Sequence, residues 1–145
     1  MVILKMAGFS AIYGEMQHIS TDYYTCTPVL GHPLSYDVGG VYTQETGKIT
    51  IPKEGYYMLT YSMLLMNISP SGPEPYINFM LNNVAMQIVP LAPGLMGSSV
   101  MPCRLNSNDT VKFVIQDAEG CDILPGSLIS MNPISELNYK IKEYG

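Results

Sequence analysis

The chain has 145 residues, a net charge of −5, seven Lys and Arg placed singly, and 47% hydrophobic against 13% charged residues. The length suits one domain, 1–145, and no basic stripe is present to bind nucleic acid. No run of about 20 apolar residues is present to cross a bilayer, so membrane insertion is not expected.

The charged share is about half the usual ~25%. Much uncharged surface must therefore be exposed, and large apolar or aromatic exposed surface marks interfaces. An obligate oligomer is expected. The opening MVILKMAGFSAIYG is apolar but lacks a basic leader region, so synthesis without a signal peptide is expected.

No stretch of 11 or more residues keeps a helical period, while apolar positions alternate or run in short blocks between turn signals. Residues 5–13 read as the first strand, and 25–34 as an irregular connection with one short strand. YDVGGVYTQETGKITIPKEGYYMLTY, from Tyr36 to Tyr61, reads as strand, Gly-centred turn, short strand, second turn and long strand. Short strands are expected at 41–42 and 48–51. Gly47 and Gly55 sit at the reversals, where φ > 0 costs glycine nothing. Residues 55–67 form the longest strand, with Tyr57, Leu59 and Tyr61 on one face and Tyr56 on the other.

NISPSGPEP, residues 67–75, is a loop. Residues 76–81 and 84–90 form a hairpin turned at Asn82-Asn83, residues that tolerate left-handed backbone. Strands follow at 98–105 and at 110–116, where Val111, Phe113 and Ile115 share a face. Residues 117–122 are a loop, and strands at 128–131 and 137–143 close the chain. Many short strands at this spacing predict an all-β jelly-roll sandwich of about ten strands.

Asp37, Tyr42, Gly55, Tyr57 and Tyr61 resemble the spaced signature of the complement component-1q globular head, within the wider tumour necrosis factor-like jelly rolls. Ile49 and Leu59 stand where that family usually has Phe, and Gly31 falls at the signature's opening Phe. Residues 7–13 look like its first strand, and LNYKIKEYG is similar to its last. The resemblance implies a homotrimer whose strands pack around a threefold axis. Tyr57, Leu59, Tyr61, Phe113 and Ile115 are the candidates for core and trimer interface. Eleven tyrosines and eleven methionines suit such packing.

Catalytic constellations are missing. His18 and His32 are the only histidines, too few for a jelly-roll metal site. No nucleophile elbow, HExxH or phosphate-binding glycine loop occurs. Cys26, Cys103 and Cys121 show no CxxC or metal spacing and read as small buried hydrophobes, although one disulfide plus a free thiol is the alternative in an oxidising compartment. In DAEGCD, Asp117, Glu119 and Asp122 supply hard oxygen ligands that could hold calcium, an idea the resemblance also favours; a solvated turn is the plainer reading. No other cofactor is expected. Asn67-Ile-Ser69 and Asn108-Asp-Thr110 match the glycosylation triplet, a frequent chance match.

The expected function is a non-enzymatic trimeric structural and recognition head. It would be the knob of a virion (phage) fibre or bacterial surface filament, and would act in trimerisation and host attachment at the virion or extracellular surface. The alternative is a secreted complement- or cytokine-like head, expressed without its leader and collagen stalk. Partners are other copies of the chain and a cell-surface carbohydrate or protein. Loop residues Asn67, Ser71 and Glu74 are the candidate ligand contacts, because binding residues concentrate on loops held by a rigid scaffold.

Overall fold

The structure, a computed structural model, describes residues 7–67, 72–90 and 96–134. Its strands are β1 (Gly8–Ile12), β2 (Gln17–His18), β3 (Tyr23–Thr25), β4 (Tyr36–Val38), β5 (Tyr42–Thr43), β6 (Lys48–Thr50) and β7 (Gly55–Met66). They continue as β8 (Tyr76–Leu81), β9 (Val84–Pro90), β10 (Met96–Leu105), β11 (Thr110–Gln116), β12 (Asp122–Ile123) and β13 (Leu128–Pro133). No helix occurs among the described residues.

The strands form two sheets. The first runs β2-β12-β7-β13-β1-β4, with β10 on the other edge of β7. β12 and β13 lie in tandem along one edge, β13 opposite Tyr57 to Ser62 and β12 opposite Leu65 and Met66. The second sheet runs β5-β6-β11-β8-β9, with β3 beyond β6 on the same edge of β11. Every pairing is antiparallel. The architecture is a jelly-roll sandwich.

Strand alternation builds the core. Along β7, Tyr57, Leu59, Tyr61, Met63 and Leu65 are buried and the residues between them are not. They meet Phe79 of β8 and Val111, Phe113 and Ile115 of β11. Phe79 packs edge-on against Phe113 at 4.9 Å and tilted against Tyr61 at 5.7 Å. Such aromatic pairs are worth ~0.5–1.5 kcal/mol beyond their buried area. At the other end Phe9 stacks on Tyr42 at 4.3 Å.

Turn chemistry follows the sequence at two places. Asn82 and Asn83 take φ of 48° and 68°, the mirror-type hairpin turn expected there. Gly47 takes φ of 68°. Gly55 does not take a positive φ. It opens β7 opposite Leu105, and the reversal before it is held by the Tyr57 hydroxyl, which donates to the Lys53 carbonyl.

Asp122, expected to end the 117–122 loop, instead forms a strand with Ile123, and Gln17–His18 form another that pairs with it. Two residues give no readable alternation. They are strands because β7 outruns β13 and offers its remaining edge to Asp122 and Ile123. The strand expected at 137–143 lies outside the described residues.

Candidate functional site

The outward face of the first sheet is the surface that departs most from an ordinary solvated one. Antiparallel sheets with one wet face normally alternate apolar-in with polar-out. Here the outward positions of β7 are Tyr56, Met58, Thr60, Ser62, Leu64 and Met66. Register sets Ser98, Val100, Pro102 and Arg104 beside them on β10, and Leu128, Ser130 and Asn132 on β13. Ser10 and Ile12 of β1 and Tyr36 and Val38 of β4 continue the row.

Across these five strands Arg104 is the one charged outward side chain, and it leans toward Glu54 at 3.5 Å. By contrast, the outward face of the second sheet carries Lys48 and Lys112, the latter 6.0 Å from the Tyr23 ring centre. Val100 is 56% exposed and Tyr56, Tyr36 and Met66 are also exposed, so apolar area is left in water on the first face. Asn132 is fixed there by the Tyr36 hydroxyl at 2.9 Å.

This face adjoins an apolar edge. β9 and β10 each pair on one side only among the described residues, and they bring Val84, Met86 and Val100 into solvent. A cavity of about 50 Å³ sits between the sheets here, lined by Leu59, Phe79, Met101 and Cys103 among others. The Tyr61 hydroxyl is buried without a hydrogen-bond partner, and burial pushes its pKa up to about 12.

Tyr57, Leu59, Tyr61, Phe113 and Ile115 all lie inside the sandwich of a single chain. The outward positions between them, Met58, Thr60 and Leu64, were not singled out from sequence. Their signal was present: the wet phase of the β7 alternation carries Met, Thr, Ser and Leu, and no charge.

The other candidates are spread out. Asn67 follows β7 with φ of 64° and Glu74 is exposed, while Ser71 lies outside the described residues. Asn67 donates to Asp122, which also receives the His18 ring at 2.7 Å. These two hydrogen bonds, His18 first, hold the Asp122 carboxyl below its ordinary pKa. Its oxygens are thus committed to pinning β2 and the end of β7. Asp117 is set at φ of 59° by its backbone bond to Asp22, and Glu119 projects from the exposed turn. Asp117, Glu119 and Asp122 do not converge: no group of three His, Cys, Asp or Glu able to hold a metal forms among the described residues.

All three cysteines are free thiols. Cys26 is fully buried beside Tyr13, and desolvation pushes it up to about 12. A thiol held protonated this way is inert as a nucleophile.

No family model matches the sequence, and no curated protein does. Solved structures match the fold. The crystal structure of pika GITRL has a TM-score of 0.60 and 8% identity, over 90% of this chain and 98% of that one. The crystal structure of rabbit GITRL has a TM-score of 0.56 and 8% identity, over 89% of this chain and 94% of that one. At this identity the likeness is one of fold, a tumour necrosis factor-like jelly roll.

Proposed function

We propose that the chain is a non-enzymatic recognition head that works as a homotrimer, the knob of a virion (phage) fibre or bacterial surface filament. The observation that carries this is the outward face of the first sheet across β7, β10, β13, β1 and β4, uncharged but for Arg104. A ring of identical subunits needs two different, complementary patches on each copy, because its contacts are head-to-tail. The chain offers two that adjoin: the face around Thr60 and Val100, and the apolar β9–β10 edge. Trimerisation would cover both, and would bring three copies of the surface loops round one axis. Weak contacts to a repetitive cell surface then add as avidity.

Free thiols support the fibre setting. A chain folded and assembled in a reducing cytoplasm keeps its cysteines unpaired, whereas disulfides form and persist in the oxidising environments that secreted proteins meet. The fold likeness to GITRL favours the second reading, a secreted complement component-1q- or cytokine-like head. The gene context separates them. A leader and Gly-X-Y repeats upstream support the secreted head; a cluster of virion structural genes supports the knob.

Assembly is tested by light scattering at micromolar concentration. Wild type is expected at the mass of three chains. Val100→Glu sets a charge on the face without entering the core, so it should give one chain mass with an unchanged β-sheet circular dichroism spectrum. A wild-type mass of one chain overturns the proposal.

A further inference from the structure

A groove of about 520 Å³ opens between the turn after β1 and the connection from β3 to β4. Its volume lies within the ~300–1,000 Å³ usual for ligand sites. We infer that this groove binds a saccharide.

The floor is rigid. Tyr13 is buried; its backbone bonds Ser127 and Gly126, and its hydroxyl meets that of Tyr24 at 3.0 Å. Pro28 is anchored through its carbonyl, which accepts from the buried Tyr42 hydroxyl at 3.1 Å. One wall is the exposed stretch Glu15, Met16 and Gln17. The other carries Val29 and His32, and is knitted by the bonds from Gly31 N–H to the Val29 carbonyl and from Ser35 N–H to the His32 carbonyl. Such a site needs little ordering when a ligand arrives.

The polar groups have fixed roles. The Leu34 N–H donates to His32 Nδ1 at 3.1 Å, so the neutral ring carries its proton on Nε2, a donor. Glu15 supplies an acceptor-only carboxylate. The Gln17 amide nitrogen donates to the His18 carbonyl at 3.2 Å, leaving Oε1 as an acceptor. Among apolar surfaces, Met16 is 59% exposed and Val29 63% exposed.

The ligand that fits must offer several donors, at least one acceptor and an apolar face. A sugar's vicinal hydroxyls and C–H face meet that description. Anions do not, because no Lys or Arg lines the groove and Glu15 does. A simple amine would use Glu15 alone and leave the His32 donor without a partner.

The groove is built from one chain, so the inference stands apart from trimer assembly and can be tested on the Val100→Glu chain as well as on wild type. The probes are the methyl glycosides of glucose, galactose, mannose and N-acetylglucosamine, titrated into ¹⁵N-labelled protein, with butylammonium as the competing chemistry. At least one glycoside should give saturable amide shifts confined to residues 14–17 and 27–34. Glu15→Ala and His32→Ala should each weaken it by about five- to tenfold, the loss of one hydrogen bond, with the rest of the spectrum unmoved. The inference is overturned if no glycoside moves those amides, if butylammonium alone does, or if the double variant binds as wild type.

Discussion

Single residues hold the junctions of this sandwich. Gly47 is buried at φ of 68°, and a Cβ there would meet the Thr25 methyl at 2.6 Å and the Cys26 carbonyl oxygen at 2.8 Å. The carbonyl cannot retreat freely, because the Cys26 N–H is bonded to Phe113 at 2.8 Å. Left-handed backbone alone costs a residue with a Cβ roughly 1–2 kcal/mol. Gly47→Ala should therefore destabilise by more than about 1 kcal/mol in urea melts, and an unchanged midpoint would contradict this. Asp122 is a second junction. Its folded pKa is depressed by His18 and Asn67, so it adds stability above its unfolded pKa of about 4. That contribution is lost as pH falls through the lower folded value. Asp122→Asn removes the charge and keeps the shape. It should lower stability at pH 7 and flatten the decline below pH 4; an acid limb identical to wild type would show that the knot carries no charge-dependent stability.

At the scale of elements, β7 shows what was legible and what was not. Its period-2 pattern was plain in the sequence, and so was the hairpin at Asn82-Asn83, because both signals are local. Which way β7 faces was not local: the pattern sorts Tyr57 from Tyr56 but says nothing of what lies beyond either face. The tyrosines therefore read equally well as core or as subunit contact, and only the register with β10, β11 and β13 places them inside. β2 and β12 were missed for a related reason. Each is two residues long and exists because a distant strand presents an unpaired edge. The partners of the candidate calcium residues were not local either: spacing brought Asp117 and Asp122 close in sequence, but not His18 and Asn67, which come from other elements and bond the Asp122 oxygens. Neighbouring positions on β7 now give opposite expectations. Tyr61→Asp places a carboxylate among Phe79 and its neighbours, where an unpaired charge costs several kcal/mol, so the chain should fail to fold. Thr60→Asp lies on the outward face between Val100 and Ser130, and should leave circular dichroism intact while abolishing the trimer mass. If both variants fold and assemble, the assignment of the two faces is wrong.

For the whole molecule, the sandwich gathers weak acids in its interior and so should fail at high pH. Burial raises the phenol of Tyr42, and Tyr61 and Cys26 are each pushed up to about 12. Tyr13 is raised as well, by burial first and then by Cys26 and Tyr24 beside it. Unfolded thiols and phenols ionise near pH 8.5–10. Above that range the unfolded chain releases protons that the native state still holds. Stability then falls as pH rises, because its slope follows protons bound in the unfolded state minus those bound in the native state. The stabilisation is complete below the unfolded pKa values and declines as pH climbs toward the folded ones. Urea midpoints should hold level through neutral pH and drop steadily between about pH 9 and 11. Absorbance of ionised phenol should rise in two parts, exposed tyrosines first and buried ones together with unfolding. Tyr61→Phe separates this from general repulsion of a negatively charged chain. It removes one buried phenol whose hydroxyl has no partner, so the fold should tolerate it at pH 7. On the alkaline limb its slope should be shallower than wild type by up to one proton. A limb of unchanged slope would assign the alkaline loss to surface charge instead of the buried phenols.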